Sequence, residues 1–395
     1  MDIVADRPDA VQAAPDFLGQ ARAMRALIEA EAKATEDGGT LSPKVVEALR
    51  EAGIFWMNVP REVGGAGASL VEAMEVIEEV AYADASTGWS LMANQGTIVA
   101  AAVYLGEPGI EAIFGGRERP ILAGMLGPAG KSTAEDGGYL GGGRFAFGSG
   151  MAHADWIGAG MFVMEEGRPR ILAGAGPEVR VCFVPKSQVE VLGGWSPPGL
   201  VGTGSYDYVV PEQFVPRGFS FERTTLEPLR GGPRFSVGLA VIGASGHAGV
   251  ALGLMKRALT ELVAIVSTKK RPGYPGPVGD HDVFKHHFAL NEANYQGARD
   301  YTFRVFREIE TYAASGREPT AEQRARVRQA TTWVHQVAGD VVRFAHLWSG
   351  SEVIRRDSTL GRLSRDMAIA TQHVVVDPIT LVDSAIVRAW SAVGG

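Results

Sequence analysis

The hydrophobic period changes twice along the chain, and this constrains the fold more than any single motif. From about Pro15 to Leu105 apolar residues recur at spacings of three and four, as in Phe17, Ala21, Met24 and Ile28, the stripe of an amphipathic helix. From about Arg117 to Phe221 short runs take over, among them Tyr139 to Phe147, Trp156 to Met164, Val179 to Val184 and Tyr206 to Val210, separated by glycine and proline turns as strands are. After Pro233 the helical period returns in four long segments, Phe235 to Ser267, Asp282 to Ala314, Thr320 to Leu347, and Leu360 to Trp390 with a break at Pro378. Helix starts are marked by Ser42-Pro43, by the capping box Ser69-Leu-Val-Glu72 and by Thr320-Ala-Glu-Gln323. Gly64-Gly-Ala-Gly67 reads as a loop and Lys269 to Asp280 as a glycine- and proline-rich linker. The expected architecture is α+β, mainly α: an N-terminal helical domain over 1–115, a central β domain over 116–230 and a C-terminal helical bundle over 231–395.

Charge narrows the choice of partners. A formal charge of −7 without a long basic run argues against a nucleic-acid surface, which needs clustered Lys and Arg, so small molecules are expected instead. Phe235 to Met255 is nearly long enough to cross a bilayer, but it holds His247, Ser245 and five glycines, and a buried bundle helix is the expectation. Glycines at that density also suit a subunit interface. The lone Cys182 forms no intrachain disulfide, and Met1-Asp-Ile-Val-Ala-Asp lacks the order of a secretion signal; both favour a cytoplasmic protein.

Two glycine-rich stretches imitate nucleotide loops. Gly127-Pro-Ala-Gly-Lys131-Ser132 has Met125 where the phosphate loop requires its first glycine. Gly141-Gly-Gly-Arg-Phe-Ala146 sits between strands, whereas a dinucleotide motif joins a strand to a helix. Metal-ligand spacing is equally poor. The one close histidine pair, His286-His287, would splay about 100° on a helix, and no metal site is expected.

Three further segments carry the functional reading. They are Gly143-Arg-Phe-Ala-Phe-Gly-Ser149-Gly150-Met-Ala-His153-Ala-Asp155-Trp156, then Trp195-Ser-Pro-Pro-Gly-Leu-Val-Gly-Thr203-Gly-Ser205-Tyr-Asp207, and Arg365-Asp366-Met-Ala-Ile-Ala-Thr371-Gln372-His373 inside the last long helix. Together with the helical, β, helical order they resemble the acyl-CoA dehydrogenase fold from about Leu41 to Trp390. Within it they look like the oxygen-using branch, the oxygenase components of two-component flavin monooxygenases. True acyl-CoA dehydrogenases carry a glutamate that removes the substrate α-proton, and counting from Arg365-Asp366 that position falls on Val374, which cannot take a proton. Beside it stands His373, which with an ordinary histidine pKa of ~6.5 would act as base or proton donor.

The resemblance implies a cofactor and a set of residues around it. Reduced flavin, FMN with FAD as the alternative, would come from a separate reductase, react with O2 to a C4a-hydroperoxide and hydroxylate a small aromatic or heterocyclic substrate. Ser149 is the implied holder of the flavin N5 hydrogen, with Gly150 beside it. Trp89 matches a tryptophan next to the isoalloxazine, and Trp195 and Ser205 match a run that in relatives includes an arginine, here Val201. Arg271 resembles the arginine that reaches a neighbouring subunit's flavin phosphate, and Ser349-Gly350 corresponds to a small-residue run against the cofactor, with Gln372 next to His373. Histidines found in many relatives are replaced by Ala368 and by Asn94 or Thr97, while His153 is expected to be structural.

Two competing readings remain at this stage. One is a flavin dehydrogenase or oxidase acting on an acyl thioester, with a carboxylate such as Asp377 or Glu352 as base; the other is a helical scaffold that has lost flavin. An oligomer is expected, because the Phe235 to Met255 helix and the C-terminal helices offer more apolar surface than one chain covers, and the resemblance implies a homotetramer.

Overall fold

The computed structural model describes residues 15–174 and 176–390; the start at Met1 to Asp6 lies outside them. Five helices lead, α1 Phe17–Gly38, α2 Pro43–Glu51, α3 Leu70–Ala83, α4 Ala85–Tyr104 and α5 Glu107–Phe114. Ser42 caps α2 with Pro43 in its first turn, and both halves of the Ser69/Glu72 capping box form on α3. Asp84, between α3 and α4, accepts from the amide of Thr87 at 2.8 Å and so starts α4 directly where α3 ends.

Ten strands follow, β1 Leu122–Glu135, β2 Gly138–Gly148, β3 Trp156–Glu165, β4 Arg168–Pro169, β5 Ile171–Leu172, β6 Gly176–Pro177, β7 Val179–Pro185, β8 Glu190–Gly193, β9 Tyr206–Pro216 and β10 Ser220–Glu222. The main sheet runs β10-β7-β3-β1-β2-β9-β8, with β4 on β3 and only the β1/β3 pair parallel. It curls around its own apolar cluster, including Phe145, Ile157, Met161, Cys182 and Tyr208. The long strand β1 is missing from the runs read in the sequence. Its register shifts between Met125 and Pro128 and again between Pro128 and Gly130, because proline has no N–H for the ladder, and these bulges erase the two-residue alternation. The imitation phosphate loop is therefore strand, and Gly141 to Ala146 lies within β2, not between strands.

The chain ends in α6 Gly238–Val266, α7 Asp282–Ala314, α8 Ala321–Ser349, α9 Thr359–Ala370 and α10 Ile379–Ala385. The four long segments expected from the sequence are α6 to α9, with one correction: the last stops at Ala370, eight residues before Pro378. Helix α6 is apolar enough to pass for a membrane span, yet 83% of that window is buried inside the chain. Its glycines permit this. A Cβ on Gly249 would stand 2.9 Å from the Met74 carbonyl oxygen, and one on Gly253 would stand 2.5 Å from that of Glu78, so α3 lies directly on α6. The expectation that α6 offers a subunit surface is corrected, since its glycine face is spent on α3. One apolar core runs through α1 to α9, and it brings α4, α6, α8 and the turn after α9 together beside the sheet.

Candidate active site

Helix α4 carries Trp89 to the edge of the sheet, where its indole N–H donates to Ser149 Oγ at 3.1 Å. Ser149 follows β2 at a turn closed by Gly150, whose φ of 70° and whose Cβ position, 2.3 Å from Asn94 Oδ1, admit only glycine. Ser149 Oγ lies 2.7 Å from Ser205 Oγ, which lies 2.7 Å from Thr203 Oγ1. Thr203 Oγ1 donates to the Leu200 carbonyl at 2.8 Å.

A hydroxyl has one proton, and this fixes the direction of every bond in the chain. Thr203 spends its proton on Leu200, so Ser205 must donate to Thr203, and Ser149 must then donate to Ser205. Ser149 accepts only from Trp89, which leaves its oxygen one free lone pair. All four side chains are buried. The Leu200 carbonyl also accepts from Trp195 Nε1 at 3.3 Å, so the predicted Trp195 supports the far end of the chain. Leu200 itself is held at φ 51° by its amide, which donates to Asp366 Oδ1 at 2.6 Å. Burial pushes the Asp366 carboxyl up to about 7, and its Oδ2 has no partner.

His373 does not lie inside a helix as expected; it sits in the turn after α9, where Nδ1 accepts from the Val375 amide at 3.2 Å. Neutral His373 therefore carries its proton on Nε2. Burial lowers its pKa to about 4, correcting the expectation of an ordinary histidine: at neutral pH it is an uncharged donor. Its ring meets Trp89 edge-on at 5.7 Å between centroids. Val374, at the position of the dehydrogenase glutamate, is 74% exposed.

Two histidines that sequence reasoning passed over complete the cluster. His247 of α6 lies 4.2 Å from His373 and 5.1 Å from Trp89, centroid to centroid, and His335 of α8 lies 6.2 Å from His247. The available signal was a histidine at a core position of an otherwise apolar helix, which is rare unless it is paired.

The remaining predicted residues fall elsewhere. Arg271 donates to the carbonyls of Trp348 at 2.5 Å and Leu347 at 3.3 Å, closing the C-terminus of α8 beside Gly350. Ser349 is buried with its hydroxyl on the Ala345 carbonyl. No hydrogen bond or ring contact among the described residues joins this group to Trp89, Ser149 and His373. Gln372 is exposed against Thr371. His153 donates to Asn94 Oδ1 at 2.9 Å, and Asp155 accepts from the Ile121 amide, so both have structural partners. Asp377 accepts from the Ile379 amide at the start of α10, and Glu352 pairs with Lys269 on the surface; neither belongs to the cluster.

Comparison with known proteins adds the family context. Residues 20–110 match the acyl-CoA dehydrogenase N-terminal domain and 245–378 its C-terminal domain, together more than half of the chain. The chain is 27% identical over 351 residues to indole-3-acetate monooxygenase of Acinetobacter baumannii, covering 88% of this chain and 87% of the relative. It is 31% identical over 192 residues, 48% of this chain and 46% of the relative, to the flavin-dependent monooxygenase oxygenase subunit HsaA of Mycobacterium tuberculosis. The crystal structure of that monooxygenase superposes with a TM-score of 0.87 at 22% identity, covering 95% and 97% of the two chains. The same fold recurs in XiaF from Streptomyces sp., solved with FADH2 and glycerol (TM-score 0.85, 18% identity, 94% of both chains). It recurs again in TdsC from Paenibacillus sp. A11-2, solved with FMN and indole (TM-score 0.77, 19% identity, 95% and 97%).

Proposed function

The chain belongs to the acyl-CoA dehydrogenase superfamily and carries both its N-terminal and its C-terminal domains, and from that premise we propose that it is the oxygenase component of a two-component flavin-dependent monooxygenase, an oxidoreductase that hydroxylates a small aromatic or heterocyclic substrate. Reduced flavin, when bound, supplies the activation of O2 and the transferred oxygen. The flavin is FMN in our reading, with FAD the alternative, and a separate reductase supplies it.

The observation that carries this reading is the one-way hydroxyl chain. It leaves Ser149 an acceptor in a water-poor corner, which is what the N5 hydrogen of a reduced flavin requires, and the Gly150 turn presents backbone without a side chain. Trp89 fixes Ser149 and walls the site. His373 offers its Nε2 hydrogen to an oxygen atom at the substrate. Neither Asp377 nor Glu352 reaches this cluster, which argues against a dehydrogenase with a relocated carboxylate base.

Assembly as a homotetramer belongs to the same proposal. Its support is the number of large apolar side chains left more than half exposed on the C-terminal helices, Leu290 of α7, Leu347 of α8, Ile379 and Val382 of α10 and the intervening Ile354, since exposed apolar surface suits a contact between subunits.

Rapid mixing tests the function. Protein preloaded anaerobically with reduced FMN and mixed with oxygenated buffer should return oxidised flavin slowly and in resolved phases, and Ser149→Ala should speed that return about tenfold, the worth of one well-placed hydrogen bond. A single fast phase in the unaltered protein, with tight binding of oxidised FAD, would move the assignment to a dehydrogenase or oxidase.

A further inference from the structure

The serine chain ends on a residue that is strained in its own backbone conformation. Leu200 stands at φ 51° and ψ 32°, the left-handed region that a bulky side chain avoids because its Cβ crowds the carbonyl oxygen. It is 1% exposed, so its N–H and C=O depend on protein partners. In this conformation both are aimed. The N–H donates to Asp366 Oδ1 at 2.6 Å, and the C=O accepts from Thr203 Oγ1 at 2.8 Å and from the Thr203 amide at 3.2 Å. A rotation of Leu200 out of the left-handed region would turn the two groups away together.

Asp366 is 2% exposed, and the bond to Leu200 is the one hydrogen bond its carboxyl makes among the described residues. Burying a carboxyl on a single partner is unfavourable, so its place in α9 is explained by that partner. The neighbouring contacts hold the same loop against the helix. Arg365 Nε donates to the Pro198 carbonyl at 3.1 Å, with its guanidinium held by Glu36 at 2.9 Å, and a Cβ on Gly199 would stand 2.3 Å from the Arg365 carbonyl oxygen. From Leu200 two lines lead on to Ser149. One is the hydroxyl chain; the other is the Thr203 carbonyl, which accepts from the Gly150 amide at 2.9 Å.

We propose that Asp366 is the positioning residue of Ser149: by holding Leu200 left-handed it keeps the Leu200 carbonyl where it sets the direction of the hydroxyl chain. The proposal rests on the reading of Ser149 as the acceptor that faces the flavin, and adds the residue that decides its proton. Without the Asp366 carboxyl Leu200 relaxes, and its carbonyl leaves Thr203. Thr203 then gives its hydrogen to Ser205 and Ser205 gives its own to Ser149, whose hydrogen turns outward, where an acceptor is needed. Helix α9 ends four residues beyond Asp366 and leads into the turn that carries His373, so one element fixes both His373 and the proton of Ser149.

The test separates this link from the fold as a whole. Amide hydrogen exchange is measured by mass spectrometry on flavin-free protein, unaltered and as Asp366→Ala and Asp366→Asn, whose amide oxygen still accepts from Leu200. Asp366→Ala should exchange about tenfold faster over 198–205 and 148–152, with α6 and α8 changed by less than about twofold, and Asp366→Asn should restore most of the protection. Rapid mixing with reduced FMN is then run on Asp366→Ala, Ser149→Ala and the double variant. Each single variant should return oxidised flavin about tenfold faster than the unaltered protein, and the double variant no faster than Ser149→Ala, because both changes act through one hydrogen. Unchanged exchange over 148–152, faster exchange spread evenly along the chain, or multiplied effects in the double variant overturns the proposal. If Asp366→Ala does not fold, Asp366→Val, which refills the space without an acceptor, takes its place. If neither folds while Asp366→Asn does, Asp366 holds the fold and not the serine, and the proposal falls. Ser149→Ala without effect rejects the monooxygenase reading of that serine, and the exchange pattern, read without flavin, still decides the link. A fast Ser149→Ala beside a slow, phased Asp366→Ala rejects this inference alone.

Discussion

At the scale of single residues the site depends on where protons are, and three side chains decide it. Thr203 spends its hydrogen on the Leu200 carbonyl, and that fixes Ser205 and then Ser149. Removing the Thr203 hydroxyl should reverse the chain. In Thr203→Val, Ser205 has no acceptor except Ser149; Ser149 would then accept from both Ser205 and Trp89, and its own hydrogen would turn outward. The variant is expected to speed flavin reoxidation about as much as Ser149→Ala, although the serine is still present, while Thr203→Ser should behave like the unaltered protein. Rapid-mixing traces of the three variants side by side check this, and a slow, phased Thr203→Val trace would refute the assigned direction. Ser149 and Ser205 were legible from the sequence as members of two motifs. That they form one chain, with Thr203 setting its direction, was not, because the residues are 56 positions apart and meet only across the β2/β9 edge.

At the scale of elements, the contact of α3 with α6 is the joint on which the cluster stands. It places α6, with His247, beside α4, with Trp89. The joint relies on Gly253, where any Cβ would meet the Glu78 carbonyl and Ala81. Backbone cannot yield as a side-chain tip can, so Gly253→Val should force the helices apart at a cost of about 2 kcal/mol or more. Thermal unfolding should show a midpoint lower by several degrees, and an unchanged midpoint would mean that the contact is looser than drawn. The sequence announced α6 to α8 through their period, and α8 also through its cap at Thr320. It gave no sign of the end of α9 at Ala370, because no glycine or proline stands there; the turn forms instead because His373 caps the next short segment through its own ring.

For the whole molecule, the buried histidines tie stability to pH. His153, His335 and His373 are pushed down to about 4, and His247 well below its ordinary value, in each case mainly by burial. Between pH 6.5 and 4 the unfolded chain binds protons at these four positions while the native chain does not, so each removes about 1.4 kcal/mol of stability per pH unit on acidification. Asp366, raised to about 7, acts in the opposite sense, because the native chain holds its proton over the same interval, and Asp84 and Glu310, also raised by burial, act in the same direction as Asp366. The histidines are the larger set, and the net expectation is a loss of stability on acidification between pH 6 and 4.5, measurable as a fall in urea midpoint. A flat or rising midpoint over that range would show that the histidines are not buried in the neutral form.

The sequence by itself determined the order of the architecture, because side-chain pattern is a local property: a period of 3.6 residues over α6 to α9, short apolar runs between turns over most of the sheet, and caps at Ser42, Ser69 and Thr320 that need no distant partner. It also identified two of the site's motifs, since a glycine that must turn at 150 and a histidine beside a valine where a glutamate would act are visible in one dimension. Tertiary structure alone decided which polar groups share a pocket and in what protonation state. His247 and His335 come from helices whose sequences say only that they are buried. Their meeting with His373 and Trp89 follows from helix packing at Gly249 and Gly253, and their uncharged state follows from the loss of water that this packing imposes.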